Sequence, residues 1–170
     1  MAALTSLSEN PRYREKVSWV YIMLGDGLMA RNRPAEAKGA YETASRIDPD
    51  EPMVWVALAK AAVVLGDNPR AILAGGRALA LAEDCPQGSI LLGYALLREG
   101  RANEAAGLLV SAAEKHPQDV VLLCTLGRCY AATGRNDRAI GCYMQALRCN
   151  PQDRLARSLL NAVGTEAARR

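Results

Sequence analysis

Phenylalanine is missing altogether, and aromatic residues make up only 5% of the 170-residue chain. A core without large rings must be built from Leu, Ile, Val and closely approaching small residues, and the abundance of alanine favours helix over strand. No segment is long and apolar enough to span a bilayer: the run Trp19 to Leu24 is far too short, and Met1 to Asn10 lacks the basic start and long apolar stretch of an export signal. A soluble, unexported product is expected. Histidine occurs once, as His116 beside Pro117, with no cysteine or carboxylate spaced to support it, so nothing suggests a nucleophile and base held together. No enzyme and no cofactor are expected.

Paired cysteines are lacking as well. The five present (Cys85, Cys124, Cys129, Cys142, Cys149) are odd in number, form no CxxC pair and sit within apolar helical patterns, as small hydrophobes would in a reducing cytoplasm. Four of them could offer thiolates to zinc only by meeting across a hairpin; their spacings place them on different faces or turns, so core packing and no metal are expected. Charge of one sign is not gathered into any block, with 21 basic against 18 acidic residues interspersed. Nucleic acid is therefore not an expected partner, and the arginines of the tail, Arg154, Arg157, Arg169 and Arg170, read as a solvated helix face. With no Pro/Gly/Ser-rich linker, a single domain with one continuous core is expected.

What is present is a register. Cut at Ser18, Pro52, Pro86, Val120 and Arg154, the chain yields segments of 34 residues that superimpose without insertion or deletion. The seventh place holds Leu24, Leu58, Leu92 and Leu126, and the eighth Gly25, Ala59, Gly93 and Gly127. The twentieth holds Ala37, Ala71, Ala105 and Ala139, and the twenty-seventh Ala44, Ala78, Ala112 and Ala146. Small residues at fixed places let two helices cross closely. At the fifteenth place Asn32, Gly66, Gly100 and Gly134 tolerate the left-handed backbone that ends a helix, and at the thirty-second Pro49, Glu83, Pro117 and Pro151 mark the next stop. Each unit is thus helix, turn, helix, turn, and one hairpin alone cannot bury both its apolar faces, so the units must stack.

These residues resemble the tetratricopeptide repeat, whose pattern is a large residue, Leu, Gly, Tyr, then Ala, an aromatic, Ala and Pro. The first unit carries Tyr21, Leu24, Gly25, Leu28, Ala37, Tyr41, Ala44 and Pro49; the fourth carries Leu123, Leu126, Gly127, Tyr130, Ala139, Tyr143, Ala146 and Pro151. The resemblance covers residues 18 to 153 and implies an all-α fold, a right-handed α-solenoid of four hairpins (residues 18–51, 52–85, 86–119 and 120–153) whose first helices line a concave surface. Residues 1–17 are expected to be partly disordered or to extend the first helix, with Asn10 as cap and Pro11 as first helical residue. Residues 154–170 form a capping helix and tail, with Leu155, Leu159, Leu160 and Val163 on the covering stripe. At one junction Gly75 and Ser89 stand where the pattern has large residues; either the hairpins approach more closely there, or a hinge or small cavity is left.

The family geometry implies a groove faced by the second, fifth, ninth and twelfth or thirteenth places of each first helix. These are Trp19, Ile22, Asp26 and Met29; Met53, Val56, Lys60, Val63 and Val64; Gln87, Ile90, Tyr94, Leu97 and Arg98; and Val121, Cys124 and Arg128. Most are apolar, with a ladder of Asp26, Lys60, Tyr94 and Arg128 along the ninth place. Such a surface suits a peptide or helix of a protein partner, with the ladder setting register; for Val56, Ile90 and Cys124, packing against the neighbouring unit is the equal alternative. One subclass of the family grips C-terminal carboxylates with Lys, Asn and Arg, but the corresponding Ile22, Asp26, Ala57, Gln87 and Leu91 match none of these, so an anionic tail is not the expected ligand. A scaffold or adaptor is the leading expectation. The alternatives are a chaperone for a secreted or assembly-competent client, and a self-assembling module joined through the uncovered N-terminal end.

Overall fold

A computed structural model describes residues 11–167. Nine helices and no strand are found among them: α1 (Pro11–Ala30), α2 (Pro34–Ile47), α3 (Pro52–Leu65), α4 (Asn68–Leu81), α5 (Pro86–Arg98), α6 (Ala102–Lys115), α7 (Val120–Ala132), α8 (Asn136–Cys149) and α9 (Arg154–Ala167). The architecture is an all-α helical repeat. Asn10 and its expected capping role lie outside the described residues, as do Arg169 and Arg170.

Local chemistry explains the punctuation. Asn32, Gly66, Gly100 and Gly134 adopt positive φ of 57°, 73°, 77° and 73°, so the four expected helix stops are the four left-handed residues of the described chain. The first helices restart on acidic caps: Glu51 accepts from the Met53 N–H, Asp119 from that of Leu122, and Asp153 from that of Ala156. At α5 the corresponding residue is Cys85, whose sulfur lies 3.4 Å from the Gly88 nitrogen and is a weaker acceptor. The proline carbonyls that follow the second helices are also claimed. Pro49 accepts from the Trp55 indole at 2.7 Å, Pro117 from Gln145 at 2.9 Å and Pro151 from Arg157 at 2.6 Å.

The close crossings rest on glycine. A Cβ added at Gly25 would run into the Tyr41 ring, one at Gly127 into the Tyr143 ring, and one at Gly93 would come within 2.7 Å of Leu109. Both tyrosines are fully buried. The eighth and twenty-fourth places are therefore a coupled pair, and the second unit departs at both together, with Ala59 and Gly75.

Two compact units divide the chain, Met1–Leu91 and Leu92–Arg170, with the boundary inside α5. In a repeat each hairpin packs on its neighbours, and within each unit the buried residues gather into clusters. In the first unit, one cluster joins Val17, Tyr21 and Ile22 of α1 to Tyr41, Val54 and Leu58, and another gathers Val56, Ala78 and Cys85. Gly75 and Ser89 are both buried, and the Ser89 hydroxyl donates to the Cys85 carbonyl at 3.2 Å, so these small residues are covered rather than open. In the second unit, Leu123, Cys124, Ala146 and Ala156 form a cluster.

Three packing expectations are corrected. Leu24 is exposed: no helix among the described residues packs on that face of α1 as α2 packs on Leu58. In α9 it is Ala156 and Val163 that are buried, with Leu159 and Leu160 partly so, while Leu155 points to solvent. Cys149 is exposed at the end of α8, so it is no core residue.

Candidate functional site on the first helices

The expected groove residues separate into three groups. Ile22 and Val56 are buried in the clusters just described, as is Cys124. A ligand cannot reach them, which corrects the assignment of Ile22 to the groove and, for Val56 and Cys124, favours the packing alternative; the fifth place in these helices faces the core. Trp19, Met53, Val64 and Val121 are exposed, as are Asp26, Lys60 and Gln87, whereas Met29, Val63 and Ile90 are half-buried. Asp26 accepts a 2.7 Å hydrogen bond from the Tyr41 hydroxyl. Burial first, then that bond and the carboxylate's charge, push the Tyr41 pKa well above its ordinary value, so the phenol stays a donor.

The remaining four, Tyr94, Leu97, Arg98 and Arg128, come together in the second unit. Tyr94 sits one turn before Arg98 on α5, and the Arg98 guanidinium donates to its hydroxyl at 3.4 Å. From α7, Arg128 lies over the Tyr94 ring, 5.1 Å from the centroid. The Arg98 bond lowers the Tyr94 pKa, burial opposes this, and Arg128 adds to the lowering. Among the described residues neither guanidinium has an ion-pair partner. Beside them opens a cleft of about 340 Å³ lined by Leu97, Arg128, Ala131, Ala132, Tyr143, Leu159, Ala162 and Val163. Its lining is apolar apart from the arginine and the tyrosine, so it offers an apolar wall with Arg128 in it and Arg98 next in sequence to its Leu97.

Sequence reasoning missed two things here. The helix α9, read only as a cap, supplies Leu159, Ala162 and Val163 to the cleft; its amphipathic pattern indicated a covered face but not a shared one. A second cleft of about 540 Å³ lies among α6, α7 and α8, where Glu114, Arg138 and Arg148 face Leu123, Leu126 and Tyr130. It belongs to second-helix faces, which the groove argument did not consider. Arg138 and Arg135 both lie 5.7 Å from the Tyr130 centroid.

Burial pushes the Cys124 and Cys129 thiols up to about 11, and raises that of Cys142, the reverse of what a nucleophile requires. No three of His, Cys, Asp or Glu converge on a metal position among the described residues. No described helix is long and apolar enough to cross a membrane.

Family profiles described as tetratricopeptide repeat match residues 22–89, 56–120 and 96–163. The chain belongs to the tetratricopeptide repeat family. No functionally curated protein matches this repeat protein's sequence. Solved structures with the same fold include a thermophilic repeat protein of Thermus thermophilus, with 24% identity, a TM-score of 0.78, and coverage of 89% of this chain and 84% of that one. PilW, a type IV pilus biogenesis factor, is 22% identical with a TM-score of 0.82, covering 89% and 70%. YrrB, a repeat protein with an unusual peptide-binding site, is 21% identical with a TM-score of 0.71, covering 91% and 84%. At these identities the repeat protein shares their fold.

Proposed function

We propose that this chain is a protein-binding scaffold, without catalytic activity, that holds a segment of a partner polypeptide against its first helices. In the second unit an apolar side chain of that segment enters the cleft walled by Leu97, Ala131, Ala132, Leu159 and Val163, and a neighbouring Asp or Glu side chain meets Arg128 and Arg98. The observation that carries this reading is the pair of guanidinium groups gathered on Tyr94 beside an apolar cleft, with no carboxylate of the described chain bound to either. A half-buried arginine such as Arg128 beside an apolar wall gains from a bidentate carboxylate. The ligand differs from the terminal carboxylate grasped by the subclass considered above, whose full set of Lys, Asn and Arg is absent at Ile22, Asp26, Ala57, Gln87 and Leu91. Tetratricopeptide membership supports protein binding in general, and one structural neighbour is described as having a peptide-binding site.

Selection of a random peptide display library on the full chain tests the proposal. Enrichment of an apolar residue next to Asp or Glu, lost with Leu97→Asp, is the expected result; enrichment that survives Leu97→Asp, or none at all, refutes it. Native pull-down then separates an adaptor, which brings a folded complex, from a chaperone, which brings one aggregation-prone client.

A further inference from the structure

The outer face of α1 carries an inference independent of the cleft. On that helix Val20, Met23 and Leu24, at the third, sixth and seventh places, are 45%, 69% and 46% exposed. At the same places Val54, Ala57 and Leu58 of α3 are buried in the cluster that includes Ala37, Tyr41 and Ala44 of the preceding second helix. Leu122, Thr125 and Leu126 of α7 are likewise buried. The surface that α3 and α7 bury is thus exposed on α1. Helical spacing adds Tyr13, Lys16 and Gly27 to the same face, Tyr13 being 38% exposed, and a Cβ built on Gly27 meets nothing within 4 Å.

We propose that this face pairs α1 with α1 of a second copy, antiparallel about a two-fold axis through Val20. Tyr13 and Gly27 stand seven residues before and after Val20, two turns each way, so the symmetry sets each Tyr13 ring against the other copy's Gly27. Tyrosine seated on glycine is the contact that already closes two hairpins within the chain, Tyr41 on Gly25 and Tyr143 on Gly127. Val20 meets Val20, and the Lys16 stem lies over Leu24 with its ammonium in water. The pairings of Tyr13 with Gly27, Lys16 with Leu24 and Val20 with itself favour a second copy over an unrelated helix, and Met23 packs at the edge of the seam. One helix pair buries area at the low end of specific interfaces, below about 1,200 Å² in total, the class of weak and reversible encounters.

Sedimentation velocity on the full chain, from about micromolar to about millimolar concentration, reads the association. A reversible dimer is expected, abolished by Met23→Asp, with unchanged helix content. Gly27→Gln is the second variant: it fills open space on one helix and favours the isolated helix, so it raises the melting temperature of the monomer while weakening the dimer about tenfold or more. In a Cys149→Ser background, Val20→Cys should form an interchain disulfide on mild oxidation, and Leu155→Cys, exposed on α9, should not. A chain monomeric throughout overturns the proposal and leaves the face to another occupant. So does a dimer indifferent to Met23→Asp and Gly27→Gln, or one in which Val20→Cys crosslinks no faster than Leu155→Cys. None of these substitutions touches the Leu97 and Arg128 cleft, so the two proposals fail separately.

Discussion

Replacing Gly127 with alanine sets two effects of opposite sign against each other. Alanine in a helix interior is favoured over glycine by about 1 kcal/mol. The added Cβ, however, would enter the Tyr143 ring, which is fully buried in α8, so the ring or the helix must shift against packed neighbours. Overpacking of this sort costs about 1–3 kcal/mol, so a net loss of up to about 2 kcal/mol is expected. Gly141→Ala supplies the control, because nothing lies within 4 Å of a Cβ there and the residue is exposed; that change should stabilise by up to about 1 kcal/mol. Urea unfolding followed by circular dichroism, with amide exchange to locate the change in α7 and α8, gives both values. Adding Tyr143→Ala to Gly127→Ala should cost less than the sum of the single losses, since the collision disappears. Equal signs for Gly127→Ala and Gly141→Ala, or strict additivity in the cycle, would refute the argument that glycine is there to seat the ring.

Other perturbations follow from the same packing. The Ser18 hydroxyl is buried in α1 without a hydrogen-bond partner, so Ser18→Ala should be neutral or stabilising by about 1 kcal/mol in thermal melts; clear destabilisation would reveal a missed partner. The Cys124 and Cys129 thiols have pKa values near 11 in the fold against an ordinary 9.0. The unfolded chain therefore loses these protons first, and stability present below pH 9.0 falls as pH rises towards 11, by at most about 1.4 kcal/mol per pH unit for each thiol. Urea midpoints across that interval should flatten in Cys124→Ala/Cys129→Ala, and an unchanged slope would contradict the assignment. Truncation after Asp153 removes the buried Ala156 and Val163 and uncovers the Leu123 and Ala146 cluster, so the product should aggregate in light scattering; a soluble monomer with the parent melting temperature would deny α9 its covering role.

The punctuation of the fold was the most legible part of the sequence. Asn32, Gly66, Gly100 and Gly134 announce their backbone state because few residues accept positive φ, and the coupled places of Gly127 and Tyr143 follow a size rule set by two neighbouring elements. Burial at the edges was less legible. Leu24 and Leu155 carry the same residue type as their buried counterparts, and only the presence of a neighbour decides exposure. For the site, the family register put Ile22 and Val56 on the groove, whereas both are buried in core clusters. Leu97 and Arg128 could be placed on one face by register alone. That Arg98 and Arg128 share the Tyr94 ring, and that α9 completes the cleft, depends on side-chain conformations and on a helix that repeats none of the hairpin pattern.

Calorimetric titration of a library-selected peptide against the chain and its Arg128→Glu variant gives the most direct test of the binding claim. The account predicts that Arg128→Glu abolishes binding of the acidic peptide and that exchanging the peptide's Asp or Glu for Arg restores it on the variant alone. Equal affinity of the acidic peptide for both proteins would contradict it.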